Sequence, residues 1–370
     1  MKTICLISSG HQPEDERIFE KFSLSLKDNG FRVIIILTTV DLIESREGVQ
    51  FDCFYAGKGI LSKITGVKDR LRKYNPQLVI ASQPIMAFIA KLTLPYARVI
   101  SDVTEWYPEN VTYRKPPVIR QLLYGVYTVL NAAASFISDG FIFGEKRKSE
   151  RYRIFGKKSE IITYYPVSRY FRYLHSATGP GYLNLLFAGY ISPERGANNL
   201  LRVLKFIEKS DFGIELSLRL AVKFQNVAYE NFFRYELSCL RKTTVSFVPW
   251  QPYREMEKLY KDIDLYIDLR DKNFIYDNSL PIKLFESLAF GVPVLYNDLR
   301  VFREDFPLSA FGYTVNAEDA GATAELLRSI AFDKKELITK SQNTRDAVKN
   351  LYNWEKESGK LVRFVKEFIQ

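Results

Sequence analysis

The stretch DNSLPIKLFESLAFGVPVLYND (residues 277–298) decides how the second half of the chain is read. Ser279 is a good N-cap and Pro281 suits an early helical position. Gly291 is a natural stop, and Pro293 cannot continue a helix. The spacing predicts a loop, a helix of roughly three turns, and a short buried strand over 292–296. Two charges sit oddly in it. Lys283 falls in the first turn, where the helix dipole disfavours a cation, and Glu286 lies among Leu284, Phe285, Leu288 and Phe290. An anion such as phosphate beside the helix start would explain Lys283. A carboxylate one turn on, on the same face, could accept hydrogen bonds from a vicinal diol such as a ribose. The competing reading is an ordinary surface pair of opposite charges.

Working outward, the same alternation of buried strand and helix recurs on both sides. Strands are predicted at 3–8, 32–37, 77–82, 97–103, 140–144 and 160–165, with helices at 15–28, 60–74, 84–94 and 117–137. Most of the strands are continuous apolar runs, as parallel strands buried on both faces require. The segment 166–182, broken by Pro, Gly and polar residues, reads as a linker. A second series of strands is predicted at 183–191, 215–222, 244–248, 264–269 and 292–296. The prediction is α/β, with two doubly wound Rossmann-like domains, 1–165 and 183–352, facing a cleft. The tail 353–370 places Leu361, Phe364, Val365, Phe368 and Ile369 at helical spacing, so it needs a surface to cover.

Composition narrows the classes. The 370 residues are 46% hydrophobic and 26% charged, which is globular rather than disordered. Cys5, Cys53 and Cys239 are far apart, and His11 and His175 are the two histidines. That argues against a disulfide framework, a zinc site or a multi-histidine metal centre. The N-terminal apolar run is too short for a signal peptide. The longest apolar run, 122–137, is interrupted by Thr128, Asn131 and Ser135 and reads as a buried helix. The net charge is +10, and residues 1–165 hold 24 Lys and Arg against 17 Asp and Glu. A basic N-terminal half suggests an anionic partner.

Four further stretches carry candidate chemistry. FAGYISPERGANNLL places Gly189 after a strand, and Arg195 and Gly196 before a helix, a second arrangement suited to phosphate. SSGHQPEDERIFEK comes after the first strand and brings His11, Asp15 and Arg17 to the ligand edge of the first sheet. SDVTEWYPEN offers Asp102, Glu105, Trp106 and Tyr107, the mixture of acceptors and rings that sugars favour. From 146 to 173, nine basic residues alternate with five Tyr and two Phe against Glu150 and Glu160. That pattern suits either a solvated charged face or anionic headgroups. No nucleic-acid module accompanies it.

These residues together resemble the retaining glycosyltransferases of the GT-B fold, the group with the E-x7-E donor motif (bacterial group 1, family 4-like). Glu286 matches the second glutamate of that motif, while the first falls on Asn278. Lys283 matches the lysine of the variant LPxKLFE, and GYISPERG resembles the glycine-rich phosphate loop. HQPEDERIFEK resembles the HPxxDxRIxxK entry. DVTEWYP resembles DxHExYP with Thr104 in place of histidine. The resemblance implies a nucleotide-diphosphate sugar, UDP-sugar first among the choices, on the C-terminal domain. It places Gly189, Gly196, Asn278, Ser279, Pro281 and Leu284 around the donor, with Arg195, Lys283 and Glu286 in the catalytic roles. His11, Arg17, Asp102 and Glu105 fall on the acceptor side, and the tail helix crosses back to the first domain.

The resemblance thus implies a hexosyltransferase that needs no cofactor or metal and retains configuration. It further implies a glycan or polyprenyl-linked acceptor for cell-envelope polysaccharide, an anionic membrane surface as a partner, and a place in the cytoplasm or peripherally at the inner membrane face. The alternatives are a catalytically degenerate scaffold on the same fold, favoured by Asn278 and Thr104, and a nucleotide-sugar epimerase.

Overall fold

The computed structural model describes residues 1–57, 59–174, 177–211 and 213–369. The chain divides into two compact units, Met1–Tyr164 with Trp354–Gln370, and Tyr165–Asn353. Each is built on one sheet.

The first unit holds β1 (Thr3–Ser9), β2 (Arg32–Thr38), β3 (Ser45–Arg46), β4 (Val49–Phe54), β5 (Leu78–Ala81), β6 (Arg98–Val103), β7 (Gly140–Phe143) and β8 (Lys158–Ile161). They lie in the order β3-β4-β2-β1-β5-β6-β7-β8, parallel except for the β3–β4 pair. Ile4 to Ile7, Val33 to Leu37 and Leu78 to Ala81 are buried on both faces, which is why they read as unbroken apolar runs. β3 and β4 were absent from the sequence prediction. VQFDCF alternates buried and half-buried positions, as a strand near the sheet edge does, and so lacks the continuous signal.

In the second unit β9 (Tyr182–Ile191), β10 (Glu215–Phe224), β11 (Thr243–Phe247), β12 (Leu265–Asp268), β13 (Val294–Asn297) and β14 (Gly312–Val315) form an all-parallel sheet in the order β11-β10-β9-β12-β13-β14. From β9 the chain winds outward through β10 and β11, then returns to the other side of β9 with β12. The strand order therefore reverses between β9 and β12, and in the first unit between β1 and β5. Such reversal points open a crevice beyond the carboxyl ends of the strands.

The segment 166–182, predicted as a linker, packs onto the second unit, except that 175–176 lie outside the described residues. Phe171 is buried, its ring 4.8 Å from Phe290, and the Leu174 N–H donates to the Phe290 carbonyl. Its aromatic residues outweigh its turn formers. The tail forms the helix Trp354–Lys366, which belongs to the first unit. Trp354 stacks on Phe22 and donates from Nε1 to Ser25 Oγ at 2.9 Å, and Glu357 accepts from the Thr163 N–H.

Two helix predictions are corrected. The helix after Ser279 spans Ile282–Ala289, two turns rather than three, and Pro281 stands at its N-cap in place of Ser279. The fixed ring of Pro281 precedes the first helical residue, and no side chain caps that end. The run 122–137 is helical within Pro117–Ile137, but it is mostly exposed rather than buried.

Candidate functional site

The crevice between β9 and β12 is flanked by two loops that lock onto each other. Gly196 ends the loop after β9 at φ +86°, and a Cβ there would run into the backbone of Leu269 and Arg270, just after β12. Asn199, in the first turn of the helix Ala197–Lys209, donates to the Leu269 carbonyl at 2.7 Å and to Asp271 at 3.0 Å. The Asp271 N–H returns a bond to the Glu194 carbonyl. Glycine at 196 is therefore a packing necessity as well as a conformational one. Gly189, at φ +145°, has nothing within 4 Å of its notional Cβ, so its backbone is open to close approach.

Three features around this crevice favour an anion. The helices Ala197–Lys209 and Ile282–Ala289 both start without a side-chain cap. Their first N–H groups are donors with partial positive charge. Arg195 is half-buried, and its Nε is buried with no hydrogen-bond partner among the described residues. Lys283 reaches over the Trp250 indole, 5.0 Å from the ring centre, and Lys223 lies at the same distance from it. Lys223 stands beside Tyr190 in the β9–β10 register, one residue past Gly189.

Glu286 is buried at 2% exposure, and Lys283 Nζ binds its Oε2 at 2.6 Å. The two residues singled out as anion binder and diol acceptor thus engage each other. The pairing is part-buried, with 18% of the Lys283 side chain and 3% of the Glu286 side chain exposed, not the solvent-exposed pair that competed with the ligand reading. A cation three residues away on one helix face is what makes a buried carboxylate tolerable. The charge of Glu286 reaches Tyr266, whose hydroxyl donates to the Ala188 carbonyl at 3.1 Å. Burial first, then the charge of Asp268, hold that phenol well above its usual range, so it stays a donor.

Asn278 is buried and donates to the Phe274 carbonyl at 2.7 Å, closing the short helix Phe274–Asp277. Ser279 is half-buried and Pro281 buried. Leu284 is corrected: its side chain is wholly enclosed in the second unit's core, and its N–H is bonded to the Pro281 carbonyl. It supports the helix from beneath and has no surface to offer a donor.

Sequence reasoning missed Asp268 and Arg270. The Arg270 guanidinium grips Asp268 with two nitrogens and lies over the Tyr276 and Tyr296 rings. Burial opposes its charge, but Asp268 outweighs burial and keeps it protonated. Lys223 and Trp250 were missed as well. The available signal was a charge directly after an apolar strand, in DLYIDLR and LAVKF.

In the first unit His11 sits after β1 at the reversal point. Its Nδ1 contacts Ser8 Oγ, and its Nε2 lies 3.9 Å from Asp15, which caps the helical segment Glu16–Ser23. Ser9 and Gln83 bridge the ends of β1 and β5. Arg17 and Asp102, expected on the acceptor side, bind each other. Arg17 donates to Asp102 at 2.8 and 2.6 Å and to the Ile162 carbonyl at 3.1 Å, between the rings of Phe22 and Tyr164. Both are buried, and they spend their bonding on each other. Glu105 is exposed, while its neighbour Trp106 is buried under Arg151.

Two α/β units with parallel sheets define the GT-B architecture. Residues 177–349, nearly all of the second unit, match the family described as glycosyl transferases group 1. No curated protein sequence matches the chain. Among solved structures, sucrose-phosphate synthase from Thermosynechococcus elongatus is 14% identical, with 100% of this chain and 99% of that one covered and a TM-score of 0.76. HepE from Anabaena, solved in complex with UDP and glucose, is 11% identical, with 99% and 100% covered and a TM-score of 0.74. The lipopolysaccharide outer core galactosyltransferase WaaB, in its apo form, is 12% identical, with 98% and 99% covered and a TM-score of 0.64. The domain match and the shared fold support a glycosyltransferase.

Proposed function

We propose that the protein transfers a hexose-type sugar from a nucleotide diphosphate, UDP in the first instance, to a lipid-linked or polysaccharide acceptor, with retention and without a metal. The observation that carries the reading is the buried Glu286 carboxylate, held by Lys283 on the face of a helix whose uncapped start borders the β9–β12 crevice. A ribose diol replaces part of the Lys283 interaction at Glu286. Lys283 then swings its charge to the diphosphate, joined by Arg195 and the first turn of the helix Ala197–Lys209. Trp250 lies within reach of the same ligand. The complexes of HepE with UDP and with UDP-glucose support this choice of donor.

The bond broken is the one between the anomeric carbon and the diphosphate oxygen. The cations stabilise the negative charge that grows on the leaving group. The acceptor oxygen attacks the same face, and its proton passes to the departing phosphate, so no side-chain base is required. Asn278 favours a second reading, a binding subunit without catalysis, because it puts an amide where the resembling family has a carboxylate.

Calorimetry with UDP, UDP-glucose and GDP-mannose tests the first step. Wild-type protein is expected to bind one nucleotide class, and Glu286→Ala and Lys283→Ala to weaken it by roughly a hundredfold, as loss of a hydrogen bond to a charged group implies. Equal binding by both variants would remove the donor site from this crevice. Transfer followed by NMR of the product anomer decides retention. Binding without hydrolysis or transfer favours the second reading.

A further inference from the structure

The helix Pro117–Ile137 is turned inside out. It has 21 residues and is about 30 Å long. Val118, Leu122, Val126, Val129, Ala133 and Phe136 recur at steps of three and four and so share one face. A surface helix buries such a stripe. Here it points outward: Val118 is 82% exposed, Leu122 70%, Val129 68% and Phe136 73%. The inward side mixes small and polar residues with the half-buried Leu123 and Ile137. Ala134 and Ser135 are buried, Asn131 bonds the Tyr152 hydroxyl at 2.9 Å, and Tyr124 donates to Glu109.

Charge brackets the stripe with one sign. From Tyr113 to Ile137 there is no acidic residue, and Arg114, Lys115 and Arg120 are exposed at the start of the helix. At its other end Lys157 Nζ lies 5.8 Å from the Phe136 ring, with Arg153 and the 83%-exposed Ile154 on the adjacent turn Arg153–Phe155. Glu109, on the inward side, is held by Arg151, and Asp139, two residues past the helix, is held by Lys91 and Arg98. Glu150 is exposed on the neighbouring helix Lys146–Tyr152, beside exposed Lys146.

We propose that this face is a docking surface for an anionic phospholipid bilayer, with the helix lying in the membrane plane. Its apolar stripe enters the acyl boundary, and the cations at both ends meet headgroups. Among the described residues no helix is long and apolar enough to cross a membrane, so the contact is in-plane. A second copy of the chain fits poorly. Antiparallel pairing of the two helices sets the Arg120 end against the Lys157 end, and parallel pairing sets each end against itself; both oppose like charges. The inference is independent of the donor site, because vesicle binding needs no nucleotide.

The test is flotation of the full-length protein with phosphatidylcholine vesicles and with vesicles containing added phosphatidylglycerol. Wild-type protein is expected to float only with the anionic vesicles, and less so as salt rises. The triple variants Leu122→Gln/Val129→Gln/Phe136→Gln and Lys115→Glu/Arg120→Glu/Lys157→Glu are each expected to weaken binding on the order of a hundredfold. Their melting temperatures stay at the wild-type value, since every altered side chain is exposed. No flotation at low salt, equal flotation with neutral vesicles, or binding untouched by the glutamine variant would overturn the proposal. So would a solution dimer that the glutamine variant converts to monomer while vesicles bind neither form.

Discussion

At the scale of single residues, the site depends on places where one atom too many, or one charge too few, is felt directly. Gly196 is the first. Its backbone lies in the left-handed region and its Cβ position is filled by the Leu269–Arg270 backbone. Gly196→Ala is expected to destabilise the second unit by about 2 kcal/mol or more. It should also abolish nucleotide binding, because the two loops can no longer close on each other. Thermal melting and calorimetry of the same preparation check both. The Arg17–Asp102 pair is the second. Asp102→Ala strands a buried guanidinium and should cost about 3–5 kcal/mol. The double replacement Arg17→Met/Asp102→Leu should recover most of that loss, a non-additivity read by a double-mutant cycle. If the double variant is as unstable as the single one, the pair has another function. Lys283 and Glu286 were legible in the sequence, because a lysine at a helix start and a glutamate in an apolar face are locally unfavourable. Arg17 and Asp102 were legible as polar residues at a sheet edge. Their partnership was not, because it joins positions 85 apart.

At the scale of elements, periodicity announced the long helices of the first unit and most central strands, left Ala320–Phe332 and Lys335–Asn350 unread, and said nothing of which way a face would turn. The helix Pro117–Ile137 was found to its ends, and its apolar stripe was read as core, since a stripe normally is. Its inward side instead meets its neighbours through Asn131, Tyr124 and small residues. The peripheral strands were lost for the opposite reason: β4 alternates, and β14 has four residues led by a glycine. One ion pair anchors the region below this helix. Burial tends to raise the Glu109 carboxyl, but hydrogen bonds and charge from Arg151 hold it below its ordinary value of 4.5. A carboxyl depressed by folding adds stability above its unfolded value and loses it as pH falls through the folded one. Wild-type protein should therefore melt above Glu109→Gln at pH 7, by about 1 kcal/mol given the partly exposed Arg151. The gap should close below about pH 4. A gap that persists in acid would show that the hydrogen bonds, rather than the charge, matter.

At the scale of the molecule, the two units differ in how their chain is organised. The second is continuous, from Tyr165 to Asn353, while the first is completed by the helix that starts at Trp354. Removing residues 354–370 exposes Phe22 and leaves the Thr163 N–H without the Glu357 carboxylate. The shortened chain is expected to lose one calorimetric transition and keep the other, and 165–353 alone should reproduce the transition that remains. A single cooperative transition that shifts without splitting would show that the units do not melt separately. The repeating strand–helix alternation made two sheets readable from sequence. The packing of 166–174 on the second unit escaped that reading, because Pro and Ser in the segment signal a loop whatever the loop rests on.

The split first unit also sets an order of birth. A ribosome releases the whole of the six-stranded sheet before it delivers Trp354. Nascent chains stalled before Trp354 should therefore hold a finished second unit and a first unit still missing its closing helix, which chaperones recognise.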